Sequence, residues 1–443
     1  MNIFQKIFLK TKKETDLNES KIQCKAPYSS MYLNVDGKIG VCCYNKIDLL
    51  GEYPQTSLKE AWFGKKRKVF VKRMQRNKMS EICEICLDQS ESNAFISSIP
   101  STFKNNDINS EYPAEISFEC SNNCNLECIM CNNGLSSSIK VQKVENSPHG
   151  LKIYDDNLIA ELRNFIPHIK SARFIGGEPF LIPLYYKIWD EIIKLNPDCY
   201  ILITTNGTVL NERIKQLLIR GNFNICVSIE SINAINYEKI RVNGNMQKTM
   251  ENIRYYLDFS KDNRRNFGIS TCYIQQNYED IPELINFCNV NNVYIWFNRV
   301  AHPSKCALWN CNKTLLEKVL TFYKTVNFRS DTEVEKSNLK SFNELIELTK
   351  IWYNLSIERE IKLPGLELLT TKKLYEILIN NIHSYFRNRN GQDELQMVID
   401  KMGRVINSQP NESIRRSQLI YFLNTPVQVI HIYAKCNYLS LLY

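Results

Sequence analysis

Between Ala114 and Val300 the chain alternates short apolar runs with longer amphipathic ones. AEISFEC, residues 114–120, places Ile116 and Phe118 two apart, the period of a strand with one buried face. SARFIGGEP (171–179), CYILITTNG (199–207), FNICVSIES (223–231), FGISTCYIQQN (267–277) and VYIWFNRV (293–300) read as five further strands. Helical segments fall between them, near 155–167, 183–196, 209–220, 244–260 and 279–290. Strands separated by helices of this length make βαβ units and a parallel sheet. Six units do not fill an eight-fold barrel, so the expected fold is α/β, a partial (β/α)6 barrel of the TIM type. Ligands of such sheets gather at the carboxyl ends of the strands.

The pattern changes on either side of this block. MYLNVDGKIGVCC, residues 31–43, reads as a hairpin turning at Asp36-Gly37. TSLKEAWFGKKRKVFVKRMQ, residues 56–75, reads as one helix capped by Ser57. The polar stretch 97–113 reads as a linker. Beyond Pro303 the strand pattern fades, and 313–326, 341–353, 372–386 and 393–402 read as helices, with a break at Pro364-Gly365. The apolar stretch 419–443, interrupted by Pro426, Lys435 and Asn437, reads as buried core. The expected organisation is a small Cys-rich hairpin–helix module at 20–95, the barrel at 112–302, and a helical C-terminal region at 303–443.

Composition narrows the class. No run of about 18 apolar residues suggests a membrane span. The start, MNIFQKIFLKTKKE, is interrupted by Lys6 and Lys10 and lacks the form of a signal peptide. A cytoplasmic location is therefore expected. The 16 cysteines are then expected to bind metal or do chemistry rather than pair as disulfides. Much of the +9 net charge lies in KKRKVFVKRMQRNK, residues 65–78. Such a run usually forms a solvated helix face. It can also receive an acidic peptide, and nucleic acid is not the expected partner.

The chemistry concentrates in CSNNCNLECIMC, where Cys124, Cys128 and Cys131 are spaced C-x3-C-x2-C. Structural zinc takes four protein ligands, and no matching pair follows nearby. Three thiolates on a [4Fe–4S] cluster leave one iron open to a substrate. With Gly176-Gly177-Glu178-Pro179 at the end of the next strand, this constellation resembles the radical S-adenosylmethionine (SAM) superfamily. The resemblance covers about residues 112–300. It implies that SAM chelates the open iron and that the glycine turn holds its amino group. Gly176 and Gly177 offer close backbone approach, and Glu178 adds negative charge. It further implies that Ser228 and Glu230, on one face of strand four, meet the ribose. Asn206 in TTNG, and Asn277 after strand five, lie at the matching strand ends. Many members carry an aromatic residue before the third cysteine, where this chain has Met130. Cys120 reads as a buried thiol. Cys272 and Tyr273 read as core, with a radical relay as the alternative.

Cys24, twelve residues, Gly37, four residues and Cys42 fit the C-x(9–15)-G-x4-C element of SPASM/twitch extensions, which bind an auxiliary [4Fe–4S] cluster. The expected ligands are Cys24, Cys42, Cys83 and Cys86, with Cys43 as a substitute. Four thiolates suit zinc as well. This module usually follows the barrel, and here it precedes it. The resemblance implies reductive cleavage of SAM to a 5′-deoxyadenosyl radical that takes hydrogen from a substrate. It also implies an external electron donor such as flavodoxin or ferredoxin. A peptide or protein is the first expectation for the substrate. The alternatives are a dehydrogenase or epimerase acting on a carbohydrate or small metabolite, and a non-catalytic metal-binding scaffold.

Overall fold

The computed structural model describes residues 23–87, 100–132, 134–139, 153–301, 303–362, 365–387 and 392–435. The start of the chain, part of the expected linker and residues 436–443 lie outside them.

The N-terminal hairpin pairs β1 (Ser30–Leu33) with β2 (Lys38–Gly40), and β3 (Gly51–Glu52) continues it. Asn34 Oδ1 accepts from the amides of Asp36 and Lys38, closing the turn. Gly37 takes φ +80°, and a side chain there would meet the Tyr53 carbonyl at 2.7 Å.

The six expected strands all form. They are β4 (Glu115–Phe118), β6 (Ser171–Phe174), β7 (Tyr200–Thr205), β8 (Phe223–Ser228), β10 (Phe267–Tyr273) and β11 (Tyr294–Arg299), parallel and in that spatial order. Two short strands, β5 (Glu127–Cys128) and β9 (Arg241–Val242), make a separate antiparallel ribbon.

The hairpin does not stand apart from this sheet. β1 runs parallel to β4, Ser30 opposite Glu115 and Leu33 opposite Phe118, so one sheet continues through nine strands. A barrel that does not close leaves β4 as an edge with unpaired backbone groups, and β1 pairs with it. Met31 and Leu33, both fully buried, join the apolar face.

Register separates the two faces of the sheet. Met31, Ile116, Ala172, Ile201 and Phe223 form one row across five strands, and Leu33, Phe118, Phe174, Ile203 and Ile225 form the next. All are buried. The alternate rows are mainly polar: Ser30, Glu115, Ser171 and Tyr200, then Tyr32, Ser117, Arg173, Leu202 and Asn224, where Leu202 is the apolar member. The apolar face takes the helices Asp156–Leu162, Pro183–Leu195, Glu212–Arg220, Met246–Asp262 and Ile281–Val290, leaving a polar concave face.

Three expectations change in detail. The helix at 57–75 is two, Leu58–Phe63 and Lys65–Gln75, broken at Gly64 with ψ 175°. A side chain at Gly64 would stand 2.1 Å from the Glu60 carbonyl. The described part of the polar linker is packed: Phe103 and Ile108 are buried, and Trp62 Nε1 donates to the Glu111 carbonyl at 2.8 Å. The helix expected at 341–353 runs over Glu333–Lys362. It carries buried Asn338, which accepts from Ile295 N at 3.1 Å and donates to the Val293 carbonyl at 2.9 Å. An amide thus covers the open edge at β11. Helices Glu412–Asn424 and Val427–Lys435 bury Leu419, Phe422, Leu423, Val429 and Ile430, as expected of the C-terminal stretch.

Candidate functional site

The cluster loop leaves the carboxyl end of β4. Leu126, fully buried, anchors it, while Cys124, Cys128 and Cys131 stay partly exposed. Three serines fix its carbonyls and amides. Ser136 Oγ donates to the Leu126 carbonyl and Ser138 Oγ to the Cys124 carbonyl, both at 2.7 Å, and Cys124 N donates to Ser137 Oγ at 3.2 Å. Cys131 N donates to the Cys128 carbonyl, closing a turn that brings the second and third thiols together. Burial pushes Cys128 up to about 12 and Cys131 up to about 11, and the neighbouring thiolate charges add to it. Cys128 and Cys131 therefore resist ionising side by side without a compensating cation, which a bound iron would supply.

The glycine turn is stapled to this loop. Gly176 and Gly177 take φ +83° and +45°. Side chains there would meet Glu119 Cγ at 2.7 Å and the Asn123 carbonyl at 2.2 Å. Glu178 N donates to the Asn123 carbonyl at 2.7 Å, and Asn123 Nδ2 donates to the Leu181 carbonyl at 2.8 Å. The glycines therefore answer first to the cysteine loop pressed against them.

Glu178 departs from expectation. Its carboxylate is fully buried and faces the protein, accepting from Asn206 N at 2.7 Å, Thr205 Oγ1 at 2.8 Å and Phe180 N at 3.1 Å. Burial lifts it to about 7 against the pull of those donors. Glu178 ties strand two to TTNG. Pro179, buried, opens the short turn Pro179–Leu181. Asn206 Nδ2 then lies 3.9 Å from Cys124 Sγ and 3.0 Å from Asn125 Oδ1.

On strand four, Ser228 is partly exposed on the concave face, while Glu230 is fully buried. Glu230 binds Arg241 through both oxygens, Oε1 to Nη2 at 2.8 Å and Oε2 to Nε at 2.5 Å. Its carboxylate is thus spent on a partner the sequence did not indicate. Arg241 Nη1 stands 3.9 Å from Cys128 Sγ. No spacing marks Arg241; the pairing of β5 with β9 carries it there, Cys128 opposite Arg241. Burial pulls its pKa down and the Glu230 carboxylate more than reverses this, so it stays charged. Asn277, fully buried, donates to the carbonyls of Glu230 and Cys272 and joins the ends of β8 and β10. Tyr273 faces the helices, bonded to Thr349 and stacked on Trp352, whereas Cys272 sits partly exposed on the concave side.

The N-terminal cysteines also assemble. The charges of Cys83 and Cys86 reach Cys24, which burial pushes up to about 12, and Cys24 in turn bears on Cys42. Buried Asn45 bridges two of them: its amide N donates to Cys42 Sγ at 3.4 Å and its Nδ2 to Cys83 Sγ at 3.2 Å. Cys43 is raised by burial and neighbours Arg173, Lys46 and Glu115, whereas Cys42 neighbours Cys24. Four thiols fit an iron–sulfur cluster and fit zinc. Among the described residues no three His, Cys, Asp or Glu side chains converge as they do about a single ion. The basic helix spends two cations internally, Arg67 over Trp62 and Arg73 on Asp48.

Residues 118–288 match the family described as the radical SAM superfamily, and residues 24–87 match an iron–sulfur cluster-binding domain, SPASM. A probable GTP 3′,8-cyclase of Methanococcus maripaludis is 24% identical over 167 residues, 37% of this chain and 51% of that protein. A GTP 3′,8-cyclase of Clostridium perfringens is 24% identical over 182 residues, 39% of this chain and 51% of that protein. The chain thus spans about half the length of the curated relatives it matches. Among solved structures, anSMEcpe with bound SAM aligns with 18% identity and TM-score 0.35, over 47% of this chain and 58% of that one. Streptococcus suis SuiB bound to SAM aligns with 14% identity and TM-score 0.33, over 57% and 49%. Residues 118–288, which hold the cysteine loop and the glycine turn, thus carry a radical SAM superfamily domain, and residues 24–87, ahead of the barrel, carry a SPASM-type iron–sulfur cluster-binding domain.

Proposed function

We propose that this protein cleaves SAM reductively and uses the product to take a hydrogen atom from a substrate held on the concave face of the barrel. The observation that carries the reading is the stapling of the Cys124–Cys128–Cys131 loop to the Gly176–Gly177 turn. When bound, a [4Fe–4S] cluster supplies the electron that splits SAM into methionine and a 5′-deoxyadenosyl radical. The residues do the rest. The three thiolates hold the cluster, and the carbonyls of Gly176 and Gly177 accept from the SAM ammonium. Ser228 is the part-exposed polar group of strand four available to the ribose. Glu178, Pro179 and Asn206 position the backbone and side chains around the cluster loop, and Glu230 acts through Arg241.

In this reading residues 20–95, 112–302 and 303–443 act as auxiliary module, catalytic barrel and helical cover. Cys24, Cys42, Cys83 and Cys86 hold an auxiliary [4Fe–4S] cluster. The electron donor is an external one-electron carrier such as flavodoxin or ferredoxin, in the cytoplasm. Among the described residues no helix is long and apolar enough to cross a membrane. The substrate we favour is a peptide or protein. A nucleotide is the competing reading, because relatives named GTP 3′,8-cyclase align over half their length.

The test is anaerobic reconstitution followed by iron, zinc and sulfide determination and by 5′-deoxyadenosine yield with dithionite. About eight irons with matching sulfide, and deoxyadenosine that disappears in Cys124→Ala, is the expected result. Zinc without sulfide, or normal deoxyadenosine from the variant, refutes the assignment and leaves a metal-binding scaffold.

A further inference from the structure

We propose that Arg173 anchors an oxyanion of the substrate, a carboxylate or a phosphate group, inside the barrel beneath the Gly176–Gly177 turn. The proposal rests on the reading above, which puts the substrate on the concave face. Arg173 belongs to the polar row of that face, opposite Ser117 on β4. Its side chain is 31% exposed, so a ligand can reach it.

The guanidinium carries one long ion pair and leaves its hydrogen-bond donors unfilled. Among the described residues it makes no hydrogen bond, and its Nε is closed off from water with no partner. The nearest opposite charge is Glu115, whose Oε2 lies 3.8 Å from Nη2, beyond hydrogen-bonding distance. Glu115 is committed elsewhere: its oxygens accept from Ser117 Oγ at 3.0 Å and Ser171 Oγ at 3.3 Å. The carboxylate therefore offsets the charge of Arg173 without filling its donors. Because Nε is closed off, the donors a ligand can reach are those of the two Nη groups, which make no hydrogen bond among the described residues and face the polar row of the sheet. The planar fork matches the two oxygens of a carboxylate or phosphate.

Position ties the anchor to the reaction. Gly176 follows Arg173 by three residues, which at about 3.3 Å per residue is roughly 10 Å along the strand. A substrate held by its oxyanion at Arg173 extends upward toward the SAM site. Its reacting carbon then lies between the two.

The experiment titrates pyrophosphate and, separately, succinate into the anaerobically reconstituted, SAM-bound full-length protein by calorimetry at low ionic strength. Wild type is expected to bind at least one probe. Arg173→Met is expected to weaken that binding at least tenfold, and Glu115→Gln to tighten it several-fold by removing the competing carboxylate. Preference for pyrophosphate assigns a phosphate-bearing substrate, and preference for succinate a carboxylate. Failure of wild type to bind either probe overturns the proposal, as does equal binding by Arg173→Met. If Arg173→Met does not fold by circular dichroism, Glu115→Gln decides: unchanged or weaker binding overturns it. The titration needs no turnover. A wild type that binds the probe but yields no deoxyadenosine defeats the radical reading alone. One that yields deoxyadenosine but binds neither probe defeats only the anchor.

Discussion

Replacing Glu230 by Gln removes the countercharge of a guanidinium that has no water to turn to. The side chains of Arg241 and Glu230 are 6% and 0% exposed, and two contacts of 2.5 and 2.8 Å join them. Breaking such a pair from one side costs about 3–5 kcal/mol, chiefly because the remaining charge stays buried. Gln keeps the shape and one acceptor oxygen, so the expected cost is about 3 kcal/mol, at the lower end. Arg241→Met alone leaves the carboxylate buried and unpaired, at a similar cost. In Glu230→Gln/Arg241→Met no buried charge remains. The double variant is expected to be at least about 2 kcal/mol more stable than the sum of the single effects predicts. The assay is urea unfolding of the reduced, metal-free protein, followed by circular dichroism at pH 7. Additive single costs, or a Glu230→Gln cost under about 1 kcal/mol, would refute the view that this pair is a closed, desolvated unit.

Gly177→Ala forces a side chain to within 2.2 Å of the Asn123 carbonyl, at φ +45°. The strain of about 1–3 kcal/mol is expected to weaken SAM binding by about tenfold or more, read by equilibrium dialysis; wild-type affinity would contradict it. Asn45→Ala removes the amide that touches Cys83 Sγ and accepts from the amides of Ile47 and Asp48. Reconstituted iron should fall from about eight toward about four per chain, and retention of eight would show that Asn45 does not organise the N-terminal thiols. Burial raises Glu178 from 4.5 to about 7, so the unfolded chain ionises first. Its stabilising effect is complete below pH about 4.5, shrinks as pH rises and is gone above about 7, a loss of about 3 kcal/mol. Glu178→Gln should remove that much of the fall in urea stability between pH 5 and 8, and an unchanged pH profile would sink the argument.

The order of strands and helices in the barrel was legible because alternation at period two, punctuated by Gly and Asn, is a local property of the chain. The Cys124–Cys128–Cys131 spacing was legible for the same reason, since all three cysteines lie on one loop. Close contacts between loops were not. Gly176 and Gly177 read as room for a ligand, yet the first things pressed against them are Glu119 and the carbonyls of Ser121 and Asn123. Glu178 and Glu230 read as groups facing SAM, yet burial and local donors turn both inward.

By itself the sequence determined the parallel α/β barrel, the C-x3-C-x2-C loop and the glycine turn, because each depends on residues near one another along the chain. Only the tertiary structure decided that β1 continues the barrel sheet, that Asn45 comes to Cys83, and that Arg241 comes to Cys128. It alone left Arg173 with an open fork. These outcomes join residues 38 to 113 positions apart, and edge pairing, burial and charge compensation across the fold fix them. No periodicity or spacing carries that information, because it belongs to which surfaces meet.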